Sequence, residues 1–173
     1  VKGIIEKEAV AEYAISLLMA GSRKLVSGSR AVRDSAWSTR AGMIGMEIKG
    51  KTIGIIGLGN IGSRSSEILA KGFGANVVAS DPYIAKDRFA EFGAKEVSLD
   101  ELIKTSNAIL FHCPLTDETR RMLGKAQFDS MQKDAVLVNT CRGELVDEDA
   151  LFEALQNGTL GCYATDVVEG EPI

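Results

Sequence analysis

Lys51-Thr52-Ile53-Gly54-Ile55-Ile56-Gly57-Leu58-Gly59-Asn60-Ile61-Gly62 is the stretch from which the fold is read. Thr52–Ile56 is an apolar run of strand length, and the helical pattern of Asn60–Lys71 starts directly behind it. Between them stands a G-x-G-x-x-G loop. Gly57 suits the sharp turn, Gly59 leaves the backbone open to a pyrophosphate, and Gly62 lets the helix lie close to the strand. The amino end of that helix offers unpaired N–H groups and partial positive charge to phosphates. Alone the loop is weak evidence, because glycines serve ordinary tight turns too. Asp81 strengthens it. It follows a second predicted strand, Asn76–Ser80, roughly 20 residues past the loop, where a carboxylate binds an adenosine ribose and repels a 2′-phosphate. The plainer reading of Ser80-Asp81-Pro82 is a turn carboxylate. Strand, loop, helix, strand and acid in this order favour a dinucleotide site, with NAD preferred over NADP.

The same texture continues downstream. Helical patterns are predicted over Ala85–Phe92, Leu99–Thr105, Gly124–Met131 and Asp147–Gln156, and strands over Asn107–Phe111, Ala135–Asn139 and Gly161–Thr165. Continuous apolar strands such as Ala135-Val136-Leu137-Val138 imply burial on both faces. Alternating β and α units then predict an α/β fold with a doubly wound parallel sheet. Its ligand site lies along the carboxyl ends of the strands. Upstream, Glu6–Val32 reads as one long helix or a helix pair. Ala9, Tyr13, Leu17 and Ala20 form a predicted apolar face, widened by Val10, Ala14 and Leu18. Arg33–Gly50, with Trp37, reads as a loop or arm, long enough to suggest a contact surface. The division expected is therefore 1–50, an amino-terminal helix and arm, and 51–173, the dinucleotide-binding domain.

Composition narrows the function. The chain has 173 residues, 45% hydrophobic and 25% charged, values that suit one globular domain. Its net charge is −4 with a single histidine, which leaves no basic footprint for nucleic acid and no multi-histidine metal site, so no metal is expected. No apolar run reaches the roughly 18 residues of a membrane span, and Val1-Lys2-Gly3-Ile4 does not begin a signal peptide. Cys113, Cys141 and Cys162 lack metal-ligand spacing and read as reduced, buried thiols of a cytoplasmic protein.

Three later strand ends carry polar chemistry. His112-Cys113-Pro114-Leu115-Thr116 follows the strand ending at Phe111. The only histidine invites a general-base role, but a packed, hydrogen-bonded side chain near the cofactor is preferred. Asn139-Thr140-Cys141-Arg142-Gly143 follows the next strand. Arg142 presents a planar fork for a carboxylate, unless it only pairs with Glu144 or Asp147. Cys141 adjoins this cation, which could lower its pKa. Asp166 follows the last strand and either holds the nicotinamide side of the cofactor or caps the strand end. Glu171 either orients and charge-stabilises a histidine or is a plain solvated carboxylate.

Four motifs now stand in order: the glycine stretch Gly50–Gly62; His112–Thr116; Val138-Asn139-Thr140-Cys141-Arg142-Gly143 with Val146-Asp147-Glu148; and Asp166-Val167-Val168-Glu169-Gly170-Glu171-Pro172. With them the chain, from about Ala9 to Pro172, resembles the Rossmann-like NAD-binding domain of the D-isomer-specific 2-hydroxyacid dehydrogenases. The resemblance implies hydride transfer between NAD and C2 of a 2-hydroxy or 2-oxo acid, D-3-phosphoglycerate dehydrogenase and glyoxylate/hydroxypyruvate reductase being the specific candidates. It places the family's substrate-binding arginine on Arg142, its histidine-supporting glutamate on Glu171 and the nicotinamide-amide contact on Asp166. It sets Gly57, Gly59, Asn60, Ile61, Asp81, His112, Pro114, Thr119, Thr140 and Arg142 along the cofactor. It further implies a homodimer joined through the amino-terminal helix and arm. The family histidine lies beyond the Glu171 motif and the substrate domain is built from flanking segments. Both are expected to be missing here, leaving a chain that binds NAD without efficient turnover. Two rivals are an NAD-sensing, corepressor-like interaction protein on the same scaffold and a domain for another nucleotide such as S-adenosylmethionine.

Overall fold

The computed structural model describes residues 7–171. Glu6 and Pro172, at the ends of two stretches singled out above, lie outside the described residues. The elements follow in the order α1 (Lys7–Ser22), α2 (Leu25–Arg33), a 3-10 stretch (Trp37–Met43), β1 (Thr52–Ile56), α3 (Asn60–Glu67) running into a π turn (Ile68–Gly72), β2 (Asn76–Ser80), α4 (Asp87–Glu91), β3 (Ala94–Glu96), α5 (Leu99–Thr105), β4 (Ala108–Phe111), α6 (Lys125–Ser130), β5 (Ala135–Asn139), a second 3-10 turn (Gly143–Leu145), α7 (Glu148–Gln156) and β6 (Leu160–Thr165).

The strands form one parallel sheet in the order β3-β2-β1-β4-β5-β6. The order reverses between β1 and β4, and an open sheet has its crevice at such a point, beyond the strand carboxyl ends. Each central strand buries both faces. Ile53, Ile55, Ala108, Leu110, Val136 and Val138 pack on the α1 side with Leu18, Leu69 and Phe89. Ile56, Ile109, Phe111 and Leu137 pack on the other with Leu102, Phe128 and Leu151. Burying such a side chain contributes about 1.5–3 kcal/mol, which is why these strands carry no polar alternation.

Of the two readings of the amino-terminal segment, the helix pair is the one observed, broken at Lys24, which takes a left-handed conformation at φ 52°. Three features depart from expectation. The buried face of α1 is Ala11, Ala14, Ile15, Leu18 and Ser22. Ala9 is exposed and Tyr13 is 45% exposed, so the predicted stripe is rotated about the helix axis. A helix apolar nearly all round does not announce which side meets the sheet. Strand β3 was not expected. Ala94-Lys95-Glu96 is three residues long with two exposed charges, an edge-strand character that hides it from apolar patterning. Nor was the 3-10 turn Gly143–Leu145.

Helix starts differ in a way that matters for the site. Ser98 Oγ accepts from Glu101 N at the start of α5, and Asp147 Oδ1 accepts from Ala150 N at the start of α7. Such caps are worth about 1 kcal/mol each. Helix α3 starts at Gly59 with no side-chain cap, so its first N–H groups stay free.

Candidate functional site

The strand ends gather the predicted residues on one edge of the sheet. At the end of β1, Gly57 turns the chain with φ 91°, a conformation that favours glycine. Its N–H donates to Ser80 O at 3.0 Å, and His112 N donates to Ile56 O at 2.8 Å, so the loop is stitched to both neighbouring strands. Gly62 packs on the Gly57 carbonyl and the His112 side chain, where any Cβ would collide. A Cβ at Gly59 would meet nothing within 4 Å. The loop is therefore closed toward the protein and open outward, ahead of an uncapped helix that begins at exposed Asn60 and half-buried Ile61. This cradle fits a dinucleotide pyrophosphate: free N–H donors, a helix dipole and no side chain in the way.

Asp81 already has work on this rim. Its Oδ2 accepts from Leu58 N at 2.7 Å and its Oδ1 from Tyr83 N at 2.9 Å. The turn-carboxylate reading is thus physically present, and it fixes the carboxylate against the glycine loop. An ionised carboxylate has about four acceptor sites, so two backbone donors leave capacity for a ribose.

His112 closes β4 beneath the loop. Both ring nitrogens are buried without hydrogen-bond partners, and burial drives the imidazole pKa down to about 4. The expectation of a hydrogen-bonded histidine is corrected in that respect, while its neutral state removes it as a proton carrier near pH 7. Thr119, placed along the cofactor by resemblance, knits its own turn: its hydroxyl donates to Pro114 O at 2.7 Å and accepts from Thr116 N at 2.8 Å. Thr140 has a buried hydroxyl with no partner.

Beyond β5, Asn139 organises the turn. Its Nδ2 donates to Arg142 O at 2.8 Å and to Tyr163 Oη at 3.2 Å, and its Oδ1 accepts from Cys141 N at 3.0 Å. Arg142 is exposed, with one guanidinium N–H donating to Cys141 O. It does not take the ion pair with Glu144 or Asp147 that competed for it. Arg121 lies 3.8 Å from Asp147 instead, and grips both Glu169 oxygens at 3.1 and 3.2 Å. Asp166 does not cap the end of β6, a role taken by Thr165, whose hydroxyl bonds Asn139 O at 2.8 Å and Val167 N at 3.1 Å. Val168 and Glu169 lie directly on Gly143, so the segment from Asp166 to exposed Glu171 runs over the Arg142 turn. Sequence reasoning gave no role to Arg121, and it did not foresee that Asn139 reaches Tyr163 or that Thr165 reaches Asn139, contacts between positions far apart in the chain.

The thiols are inert rather than activated. Burial pushes Cys113 up to about 12, with Cys141 adding to it. Burial also pushes Cys141 up to about 11; the neighbouring Arg142 charge pulls the other way and loses. Cys162 packs on the opposite face of the sheet. Among the described residues, no cluster of His, Cys, Asp and Glu suits a metal ion, and no helix is long and apolar enough to cross a membrane.

Comparison with known proteins agrees with this geometry. The family described as "D-isomer specific 2-hydroxyacid dehydrogenase, NAD binding domain" matches residues 15–173. A glyoxylate reductase of Aeropyrum pernix is 41% identical over 96% of the chain and 51% of its own length. A D-3-phosphoglycerate dehydrogenase of Archaeoglobus fulgidus is 41% identical over 94% of the chain and 30% of its own length. The NAD-complexed D-isomer specific 2-hydroxyacid dehydrogenase of Lactobacillus delbrueckii ssp. bulgaricus superposes with a TM-score of 0.89 at 33% identity, over 98% of the chain and 51% of that structure. The chain thus spans about half, or less, of the length of the relatives it matches.

Proposed function

The chain belongs to the D-isomer specific 2-hydroxyacid dehydrogenase family as its NAD-binding domain, and from that premise we propose that it serves hydride transfer between NAD and C2 of a 2-hydroxy or 2-oxo acid. The observation that carries this reading is the meeting at one sheet edge of an open, uncapped glycine cradle with Asp81 on one side and an unpaired Arg142 on the other. Gly57, Gly59, Asn60 and Ile61 hold the pyrophosphate, and Asp81 the adenosine ribose. His112, Pro114, Thr119 and Thr140 line the crevice, and Asp166 takes the nicotinamide amide. NAD supplies the hydride acceptor. Arg142 binds the substrate carboxylate or carbonyl and aligns C2, a positioning effect that lowers the barrier by pre-setting geometry.

Glu171 stabilises the protonated form of a histidine that exchanges the hydroxyl proton. That histidine is not His112, whose ring nitrogens are buried and which is neutral near pH 7. A polypeptide of these 173 residues alone, whose single histidine is His112, should bind NADH but turn over slowly, since working without a general base costs about 100- to 10,000-fold. Titration with NADH, followed by assay of the same chain on short 2-oxo acids, tests this. Binding with little turnover is expected; rapid turnover overturns the claim.

The amino-terminal residues 1–50 form the dimer contact. Tyr13, Leu25, Val26, Val32, Trp37 and Ile44 are exposed apolar residues concentrated there, more than a lone surface helix pair needs. Sedimentation of the wild type and of Trp37→Ala distinguishes the cases: a dimer weakened by the substitution supports this reading, and a wild-type monomer removes it. Three free thiols agree with a cytoplasmic location.

A further inference from the structure

Strands β2 and β4 flank β1, so a contact between the loops leaving them crosses in front of the glycine loop. One such contact exists: Tyr83, two residues past Asp81, donates its hydroxyl to Glu118 Oε2 at 2.7 Å. The backbone N–H of Tyr83 donates to Asp81 Oδ1. Tyr83 is 81% exposed, so packing does not hold the phenol there; its two polar tethers do. Glu118 stands in the 116–119 turn that Thr119 knits. Among the described residues neither Asp81 nor Glu118 forms an ion pair with a lysine or arginine. Asp81 and Glu118 thus both bond to Tyr83 from loops on opposite sides of the glycine loop, with no cationic partner for either among the described residues. Both raise the pKa of the Tyr83 hydroxyl, Glu118 by hydrogen bond and charge, Asp81 by charge.

We propose that Glu118, held in place by Tyr83, is a second specificity-determining carboxylate that works with Asp81 to exclude the 2′-phosphate of NADP. The proposal rests on the crevice being the NAD site. Like charges at an exposed rim interact modestly, and salt screens them over about 10 Å. The share of Glu118 is therefore several-fold. Tyr83 matters because an untethered glutamate on a loop spreads its charge over many rotamers.

The test uses the 173-residue chain and its Glu118→Gln and Tyr83→Phe variants, titrated with NADH and with NADPH by nicotinamide fluorescence. Both substitutions are on the surface, so unchanged thermal melting serves as the folding control. Glu118→Gln should improve the Kd for NADPH relative to that for NADH about three- to tenfold at low salt, and lose most of that gain at about 1 M salt. Tyr83→Phe should move the ratio in the same direction by less. A ratio for Glu118→Gln within about twofold of wild type at low salt, with NADH still bound, overturns the role of Glu118 alone. Failure of the wild type to bind NADH overturns the crevice reading, and this inference with it.

Discussion

On the β2 side of the crevice the polar side chains are tied into the fold: Asp81 takes two backbone N–H groups, and Tyr83 ties its loop to Glu118. On the β5–β6 side the backbone is equally well held, by Asn139 and Thr165, yet the charged side chains Arg142, Asp166 and Glu171 stand exposed. One rim stabilises the fold with the same atoms that are proposed to bind the cofactor. The other separates the two jobs: Asn139 and Thr165 hold the backbone, Arg121 pairs with Glu169, and Arg142, Asp166 and Glu171 form no ion pair among the described residues. Substitutions on the two rims should accordingly fail in different ways.

The largest contrast is at Arg142. On the proposed function, Arg142→Ala in an enzyme carrying this domain should lower kcat/KM for a 2-oxo acid by about 100- to 1,000-fold, as loss of one transition-state donor does. Thermal stability should stay within about 0.5 kcal/mol of wild type, as for most surface changes. Steady-state kinetics beside a melting curve reads both; a large loss of stability breaks the contrast between the rims.

Next is the pH response of His112. Its folded pKa of about 4 lies below the ordinary 6.5, so the unfolded chain binds the proton more readily. This stability is present above pH 6.5 and is lost as pH falls toward 4. The linkage amounts to about 2–3 kcal/mol between pH 7 and 4.5. Urea unfolding at the two pH values should show that much less acid sensitivity in His112→Gln than in wild type.

Asp81→Ala should cost about 1–3 kcal/mol of stability, because the Leu58 and Tyr83 N–H groups lose their acceptor. It should weaken NADH binding as well, the joint loss that Arg142→Ala lacks. Denaturation with and without NADH separates the parts. If Asp81→Ala left the melting curve unmoved, the β2 rim would not be the prebuilt one.

The smallest effect concerns the thiols. With Cys113 near 12 and Cys141 near 11, alkylation by iodoacetamide at pH 7.5 should be slow. It should accelerate about tenfold per pH unit as the thiolate fraction grows. Fast labelling of Cys141 at neutral pH would show that Arg142 outweighs burial there.

Much of this molecule is legible in one dimension. The glycine stretch, the apolar strands β1, β2, β4 and β5 and the place of Asp81 and Arg142 just past strand ends follow from local pattern. Short-range chemistry sets them: apolar runs for buried parallel strands, glycines for the turn, a polar residue where the strand stops. Strand β3 was illegible because pairing with Val77–Ala79 of β2, rather than its own residues, holds it in the sheet. The polar groups at the strand ends were legible as residues but not in their wiring. Arg121 on Glu169, Asn139 on Tyr163 and Tyr83 on Glu118 join positions far apart in the chain, and no spacing rule predicts such pairs.

The amino-acid sequence by itself determined the order of the helices and of every strand but β3, the open glycine cradle and the types of group at each strand end, since these depend on neighbours along the chain. Tertiary structure alone decided which side of α1 is buried, that His112 is neutral, that burial outweighs Arg142 at Cys141, and which carboxylates are tied and which are free. Each of these depends on solvent exclusion and on distances across the fold, and both arise only when remote segments pack together.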